Sequence, residues 1–195
     1  LLAQDPPAGV ELSALVPNER GMLGLLEAND RAGRPLISKA SVFTAASETF
    51  SRKNTNATID ETLERFAPVF HLAREHGLRV RGYVSCIVEC PFEGRVEPGA
   101  VARVSERLLG MGVDEIDLGD TIGRATHETM SAVLRTVMDT VPAEKLVVHL
   151  HDTFGAAVGC VLASLELGVR SFDGSAGGLG GCPYASRQGE RAPGN

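Results

Sequence analysis

The stretch Lys145-Leu-Val-Val-His-Leu-His-Asp152 is a short apolar run that ends in reactive polar side chains. Its length and its leucines and valines predict a buried strand, with both histidines near the carboxyl end. Five other runs predict strands, at 11–17, 36–43, 78–86, 115–120 and 169–175. Predicted helices stand between the strands, and one of them opens with the capping-box residues Thr58 and Glu61. This alternation predicts a parallel sheet with helical crossovers.

Two architectures fit the alternation, an open doubly wound sheet and a (β/α) barrel. A doubly wound nucleotide-binding sheet has its glycine cluster after an early strand, whereas the cluster at 177–181 follows the last predicted strand. In a barrel, the carboxyl ends of all strands form one mouth, and catalytic groups gather there. Several consecutive predicted strands end in polar groups, so the sequence favours an α/β chain of the TIM (β/α)8 barrel class. The barrel is expected to be incomplete, with about six strand–helix units.

The composition is that of an ordinary globular protein. The 195 residues include 19 Lys and Arg against 25 Asp and Glu, a net charge of −6, so no basic surface for nucleic acid is expected. No apolar stretch is long enough to span a membrane, and no secretory signal is recognised. Four cysteines are too few for a disulfide scaffold, so we expect reduced thiols and a cytoplasmic location. The length predicts one domain over residues 1–195.

His149 and His151 are the strongest candidates for a metal site. They lie two residues apart on a predicted strand, so their side chains point the same way. Two neutral imidazoles side by side suit a divalent cation, with a carboxylate or amide oxygen completing the site. A pair of hydrogen-bonded core histidines is the alternative that the spacing leaves open. Their place at a strand tip, followed by Asp-Thr, favours the metal.

Cys182 and Asp120 are the candidates for proton transfer. Cys182 lies among glycines that would allow a mobile loop, and a thiol acts as nucleophile or as general acid and base. A free cysteine in a flexible loop is the alternative. Asp120 ends a predicted strand and could be a base, a metal ligand or the cap of the next loop, which its position alone favours. Three further residues near strand ends are candidates for hydrogen bonding a substrate: Tyr83, Ser85 and Thr121.

Five motifs occur together in one order: Ser41-Val-Phe-Thr-Ala-Ala-Ser-Glu-Thr-Phe50, Arg81-Gly-Tyr-Val-Ser-Cys86, Leu118-Gly-Asp-Thr-Ile-Gly123, Val148-His-Leu-His-Asp-Thr-Phe-Gly155 and Gly178-Leu-Gly-Gly-Cys-Pro-Tyr-Ala185. From Leu15 to about Ala185 the chain resembles the 3-hydroxy-3-methylglutaryl-CoA lyase family. The Gly-Gly-Cys-Pro-Tyr-Ala motif is the most specific part. The His-x-His motif is shared with a wider superfamily that includes isopropylmalate and homocitrate synthases.

The resemblance implies a TIM-barrel lyase of the pyruvate carboxyltransferase and hydroxymethylglutaryl-CoA lyase kind. Such an enzyme needs Mg²⁺ or Mn²⁺ and cleaves an acyl-CoA, 3-hydroxy-3-methylglutaryl-CoA, into acetyl-CoA and acetoacetate. This reaction serves leucine degradation or ketone-body metabolism. By the same resemblance the metal lies on His149 and His151, Cys182 takes part in proton transfer, and Asp120 is its acid and base partner. A homo-oligomer, in the form of a dimer, is also implied.

The chain departs from the family's pattern at both ends. The family's first strand carries an Arg-Asp pair, and neither that strand nor the second is found, so the chain is expected to begin before the third. The family's Cys-Pro-Tyr-Ala is followed within a few residues by Gly-Asn, whose asparagine is a metal ligand. Here Asn195 comes after a longer stretch. An insertion before a true ligand, an echo of the synthases' Gly-Glu-Arg-Ala and a reading-frame error are the three explanations.

Three functions therefore stay open. The first is the hydroxymethylglutaryl-CoA lyase reaction. The second is a related metal-dependent acyl-CoA lyase or a Claisen-type synthase, although synthases need no cysteine loop. The third is an inactive truncated barrel, which the missing Arg-Asp strand supports. An open barrel leaves sheet edges and helix faces uncovered, so the chain is expected to associate or to be poorly soluble.

Overall fold

The computed structural model describes residues 6–187 and 190–191. Its strands in chain order are β1 (Ser13–Leu15), β2 (Lys39–Ala45), β3 (Arg79–Ser85), β4 (Glu89–Cys90), β5 (Gly94–Arg95), β6 (Glu115–Asp120), β7 (Leu146–Leu150), β8 (Ser171–Phe172), β9 (Ser186–Arg187) and β10 (Glu190–Arg191). Its α-helices are α1 (Glu19–Ala32), α2 (Glu48–Thr55), α3 (Ile59–Glu75), α4 (Pro98–Met111), α5 (His127–Met138) and α6 (Ala157–Glu166).

Six of these strands form one parallel sheet in the order β1-β2-β3-β6-β7-β8. Each strand of this sheet pairs with the next one along the chain, and helices connect them, as in a TIM barrel. The sheet curls into part of a barrel. The predicted fold class and all six predicted strands are therefore confirmed, with boundaries that shift by a few residues.

The two faces of the sheet carry different side chains. Leu118 of β6 pairs in register with Val84 of β3 and Val148 of β7, and all three are buried in the apolar core. This face meets the helices, because a Cβ added at Gly82 of β3 would lie 3.0 Å from Leu108 of α4. The alternate residues of the same strands face the interior of the curl, where the polar groups described below lie.

Helix α3 begins where the sequence predicts, whereas helix α2 and the strand pair β4 and β5 were not predicted. The Thr58–Glu61 capping box opens α3, in which each residue's side chain accepts a hydrogen bond from the other's backbone N–H. Helix α2 was not predicted, because it is short and buries only Phe50 and Ser51, so it shows no apolar periodicity. The strands β4 and β5 have two residues each, which is too short for an alternation of polar and apolar side chains to predict them. No described helix is both long and apolar enough to cross a lipid bilayer.

Helix α6, the last in the described chain, has an exposed apolar stripe. Val158, Leu162 and Leu165 are 70%, 53% and 37% exposed, and their spacing puts them on one side of the helix. Within the described residues, the opposite side of α6 packs on α5 and β7. Among the described residues the stripe is therefore exposed apolar surface, and such a surface favours association.

We expect the 195-residue chain to self-associate through this stripe. The double variant V158K/L162E should raise the dimer dissociation constant at least tenfold, because each buried aliphatic side chain contributes roughly 1.5–3 kcal/mol. Sedimentation velocity over a range of concentrations measures the effect. Leu23→Glu is the matched control, since Leu23 is 52% exposed on α1 and far from the stripe in sequence. Equal association of the wild type and the double variant would contradict the expectation.

Candidate active site

A cavity of about 300 Å³ opens at the carboxyl ends of β3, β6 and β7. Six of the residues singled out from the sequence line it: Tyr83, Ser85, Thr121, His149, His151 and Cys182. Phe50, Asn54 and Tyr184 complete much of the wall. Asp120 is not in the lining, and Asn195 lies outside the described residues. The polar strand ends thus meet in one place, while the roles of the individual residues stay predictions.

The imidazole of His151 is held in one tautomer. Its Nδ1 lies 2.9 Å from the backbone carbonyl oxygen of Asp120. A carbonyl oxygen only accepts hydrogen bonds, so Nδ1 carries the proton and Nε2 keeps its lone pair. Burial lowers the pKa of His151, although the hydrogen bond to Asp120 opposes this shift. The ring is therefore neutral near pH 7, which is the form that binds a metal ion.

His149 has the same tautomer through a different partner. Its Nδ1 lies 3.2 Å from Oδ2 of Asp173, the residue that follows β8. An ionised carboxylate only accepts, so Nδ1 donates, and in the neutral ring the lone pair is on Nε2. The ring centroids of His149 and His151 are 5.1 Å apart. Two lone-pair nitrogens on neighbouring rings are a donor set that fits a divalent cation.

An ion network lies in the interior of the curl beside His149. Nη1 of Arg81 donates to Oδ1 of Asp173 at 2.8 Å and to Oδ2 of Asp117 at 3.3 Å, and Nε donates to Glu115 at 2.7 Å. The hydroxyl of Tyr83 donates to Oδ2 of Asp173 at 3.2 Å. One guanidinium thus contacts three carboxylates.

The pKa values of the two aspartates in this network shift in opposite directions. Burial raises the pKa of Asp117 well above its usual value, and the negative charge of Asp173 adds to this shift. Burial also opposes ionisation of Asp173, but hydrogen bonds from His149 and the charge of Arg81 outweigh it and lower the pKa. Asp117 is 0% exposed, and its Oδ1 has no hydrogen-bond partner. We therefore assign the negative charge to Asp173.

A second arrangement of potential metal ligands overlaps this network. Asp117, His149 and Asp173 offer ligand atoms that all lie within 4.8 Å of one another. The guanidinium of Arg81 already contacts both carboxylates, and its positive charge would repel a cation bound between them. The pair of histidines is the better cation site for this reason.

Asp120 caps the loop after β6. Its carboxylate accepts the backbone N–H groups of Arg124 at 3.0 Å and Ala125 at 2.9 Å, as the cap interpretation predicts. Burial raises the pKa of Asp120 to about 6, although these N–H groups oppose the shift. Gly123 in this loop has φ +73°, and a Cβ there would lie 2.5 Å from the carbonyl oxygen of His151. The loop is thus packed directly against the histidine strand.

The glycine-rich loop reaches the cavity through an aromatic anchor. The ring of Tyr184 packs edge-on against Phe50, with centroids 5.1 Å apart, and against Phe92 at 5.6 Å. This contact places Cys182 in the cavity wall, where it is half-buried. Cys86, Cys90 and Cys160 are buried, so Cys182 is the accessible thiol.

Sequence reasoning missed Arg81, Asp117 and Asp173. The alternation of β3 was a usable signal for Arg81, because it shares a face with Tyr83 and Ser85. Asp173 also had a signal, since it ends a predicted strand at the same mouth as the histidines. Asp117 stands mid-strand between Ile116 and Leu118, and no motif singles it out.

The comparisons with known proteins show one family. Residues 18–195 match the family described as HMGL-like. A hydroxymethylglutaryl-CoA lyase from Pseudomonas mevalonii is 49% identical over 177 residues, which are 91% of this chain and 56% of the relative. A 3-hydroxy-3-isohexenylglutaryl-CoA/hydroxy-methylglutaryl-CoA lyase from Pseudomonas aeruginosa is 46% identical, over 91% of this chain and 57% of the relative.

A solved structure is similar over nearly the whole chain. The HMG-CoA lyase from Brucella melitensis superposes with a TM-score of 0.87 at 47% identity, and the match covers 98% of this chain and 65% of that one. The chain spans about half the length of the curated relatives it matches.

Arg81→Gln is expected to lower the free energy of unfolding by about 3–5 kcal/mol, because it leaves buried carboxylates without their counter-charge. Adding Asp173→Asn should recover part of the loss, because it removes the charge that is assigned to Asp173. Urea unfolding measures both. The control is Arg107→Gln, which breaks an exposed ion pair with Asp60 and should cost under about 1 kcal/mol. Equal losses for the two arginine variants would count against the network.

Ellman's reagent is expected to label one thiol of the native chain and four in denaturant. Burial raises the pKa of Cys160 to about 11 and also raises the pKa of Cys86, so neither forms a reactive thiolate at pH 8. Cys182→Ser should abolish the native reaction, and Cys160→Ser should leave it unchanged. Labelling of a second native thiol would show that the described packing around the buried cysteines is wrong.

Proposed function

The chain belongs to the HMGL-like family, and from this premise we propose that it is an acyl-CoA carbon–carbon lyase acting on 3-hydroxy-3-methylglutaryl-CoA. The products are acetyl-CoA and acetoacetate, which places the reaction in leucine degradation and ketone-body metabolism. The observation that carries the proposal is the pair of histidines with a shared tautomer, in the same cavity wall as the Cys182 thiol.

The cofactor is Mg²⁺ or Mn²⁺, held by His149 and His151. Both residues fit this role, because each presents a lone pair on Nε2 while its Nδ1 proton is engaged. Asn195 is the proposed oxygen ligand. A divalent cation at this place supplies Lewis-acid stabilisation of the negative charge that develops on substrate oxygens.

Residues of the chain would accept and donate the protons of the reaction. Cleavage begins when a base removes the proton of the C3 hydroxyl, and the bond between C2 and C3 breaks as the C3 carbonyl forms. The electron pair of that bond stays on the acetyl-CoA carbon as an enolate, which then takes a proton. We assign the proton donor to Cys182, which stands in the cavity wall. Asp120 is the proposed acid and base partner, although its described contacts are those of a loop cap.

Three residues are proposed to bind and orient the substrate. Ser85 and Thr121 line the cavity, and Oγ1 of Thr121 accepts the N–H of Cys86 at 2.8 Å, which fixes its position. Tyr83 also lines the cavity, but its hydroxyl donates to Asp173. The same oxygen accepts a hydrogen bond from Arg81 at 3.4 Å, so Tyr83 keeps one acceptor lone pair and its ring for a substrate.

A longer acyl substrate is the second candidate. The relative from Pseudomonas aeruginosa carries 3-hydroxy-3-isohexenylglutaryl-CoA in its name, and it is 46% identical to this chain. Apolar rings of Phe50 and Tyr184 in the cavity wall would suit a longer alkyl group at C3. A Claisen-type synthase is less well supported, because that reaction makes no use of the Cys182 thiol. If the reaction needs groups outside this chain, the chain alone would be inactive.

We also propose a cytoplasmic location and a homodimer. Four free cysteines support a reducing compartment, and the apolar stripe of α6 supports association.

The purified chain is expected to release acetoacetate from 3-hydroxy-3-methylglutaryl-CoA when Mn²⁺ is present and to stop when a chelator is added. Cys182→Ser should lower kcat by about 10²–10⁴-fold with a small change in KM, because it removes a proton-transfer group. A coupled assay of acetoacetate measures this, and Cys160→Ser is the matched control.

Three results would contradict the proposal. They are activity that survives the chelator, a Cys182→Ser variant as active as the wild type, and a complete lack of acetoacetate with properly folded chain. Release of a longer 3-oxo acid in preference to acetoacetate would select the second substrate. Condensation of acetyl-CoA with a 2-oxo acid would select the synthase.

A further inference from the structure

We propose that Asp173 is a positioning residue for His149 and that Arg81 holds Asp173 in that role. The inference deepens the proposed function and rests on it, since it concerns how one of the two metal-binding histidines is kept ready for the cation. Neither residue was a candidate from the sequence, and neither lines the cavity.

The backbone of the sheet places Asp173 beside His149. Val148 pairs with Phe172 in the register of β7 and β8, and the N–H of Asp173 donates to the carbonyl of Val148 at 3.1 Å. His149 follows Val148 and Asp173 follows Phe172, so the histidine and the aspartate are also neighbours. Strand pairing thus places the two residues side by side, and Nδ1 of His149 lies 3.2 Å from Oδ2 of Asp173.

Three donors fix the carboxylate of Asp173 in its orientation. Arg81 donates to Oδ1 at 2.8 Å, and Tyr83 and His149 both approach Oδ2 at 3.2 Å. Arg81 is itself held by Glu115 at 2.7 Å. The carboxylate is thus engaged on both oxygens and is not free to turn away from the imidazole.

A carboxylate on the far nitrogen of a ligating histidine has two effects. It keeps the proton on Nδ1, so that Nε2 presents its lone pair, and it makes the imidazole a stronger donor. For His151 the same task falls to a backbone carbonyl, that of Asp120 at 2.9 Å. His149 is therefore the histidine of this pair whose tautomer depends on a side chain and can be altered by substitution.

The alternative is that Asp173 binds the cation directly, together with Asp117 and His149. Arg81 argues against this, because its guanidinium contacts both carboxylates and would have to move away. The two arrangements also differ in what Asp117 does. Direct binding makes Asp117 a ligand, whereas the positioning role leaves it without contact to the cation.

The test is Asp173→Asn, which preserves the shape and offers the ring an NH₂ group. That group donates to Nδ1, so His149 is expected to move its proton to Nε2 and lose its ligating lone pair. Mn²⁺ binding, followed by electron paramagnetic resonance, should weaken about 10–100-fold. Nitrogen-15 spectra of the metal-free chain should show the changed tautomer of His149, with His151 unchanged as the internal reference.

Two control variants accompany it. Asp114→Asn makes the same change to an exposed carboxylate that accepts the N–H of Val80 at 2.7 Å, at the other end of β6, and should alter neither readout. Asp117→Asn should leave Mn²⁺ affinity within about threefold, because Asp117 is not a ligand in this proposal. A loss as large as that of Asp173→Asn would favour direct binding and overturn the positioning role.

Each remaining outcome separates this inference from the proposed function. If the wild type does not bind Mn²⁺, or if binding survives His151→Ala, the proposed metal site fails, while the nitrogen spectra still test the tautomer. If Asp173→Asn binds Mn²⁺ normally, or loses affinity without a change of tautomer, the positioning role fails. If that variant does not fold, the wild-type spectra decide, since a proton on Nε2 of His149 would overturn the inference. Arg81→Lys then tests whether Arg81 holds Asp173 in place, and this variant should weaken Mn²⁺ binding several-fold.

Discussion

The contact of Arg81 with three carboxylates is the interaction on which the interior of the curled sheet depends. Glu115 and Asp117 lie on β6 and Asp173 follows β8, and the guanidinium contacts all three. A buried carboxylate without a counter-charge costs several kcal/mol, so the arginine stabilises the packing of the strands around these residues. The same contact orients Asp173, and through it His149. One residue therefore links the stability of the interior to the geometry of the candidate site.

The two histidines differ in the hydrogen-bond partner of Nδ1. His151 is tied to a backbone carbonyl in a loop whose path Asp120 and Gly123 determine. Its orientation depends on the fold of that loop and is insensitive to most side-chain changes. His149 is tied to a side chain and through it to the ion network.

The sequence predicted the sheet and the mouth of the barrel because both follow from short-range rules. A buried parallel strand is apolar throughout, and a change to polar residues marks its end, as in the run that finishes at His151. The same rules fail for the ion network. The partners of Asp117, Arg81 and Asp173, are 36 and 56 residues away in the chain. Strand pairing brings Arg81 beside Asp117, and the curvature of the sheet brings Asp173 to Arg81. The anchoring of the Cys182 loop by Tyr184 on Phe50 is equally non-local.

Alternate side chains along the strands have different roles, because one set forms the apolar core and the other carries the polar groups of the candidate site. On β3, β6 and β7, Val84, Leu118 and Val148 face the helices and supply the apolar core. The alternate residues face the interior and carry polar groups that are expensive to bury. Asp117 shows the cost most clearly, because its Oδ1 has no partner and burial raises its pKa. A strand that served packing alone would carry an apolar side chain there. The sheet tolerates this carboxyl because the helix-facing side of the same strands supplies the burial that keeps the fold stable.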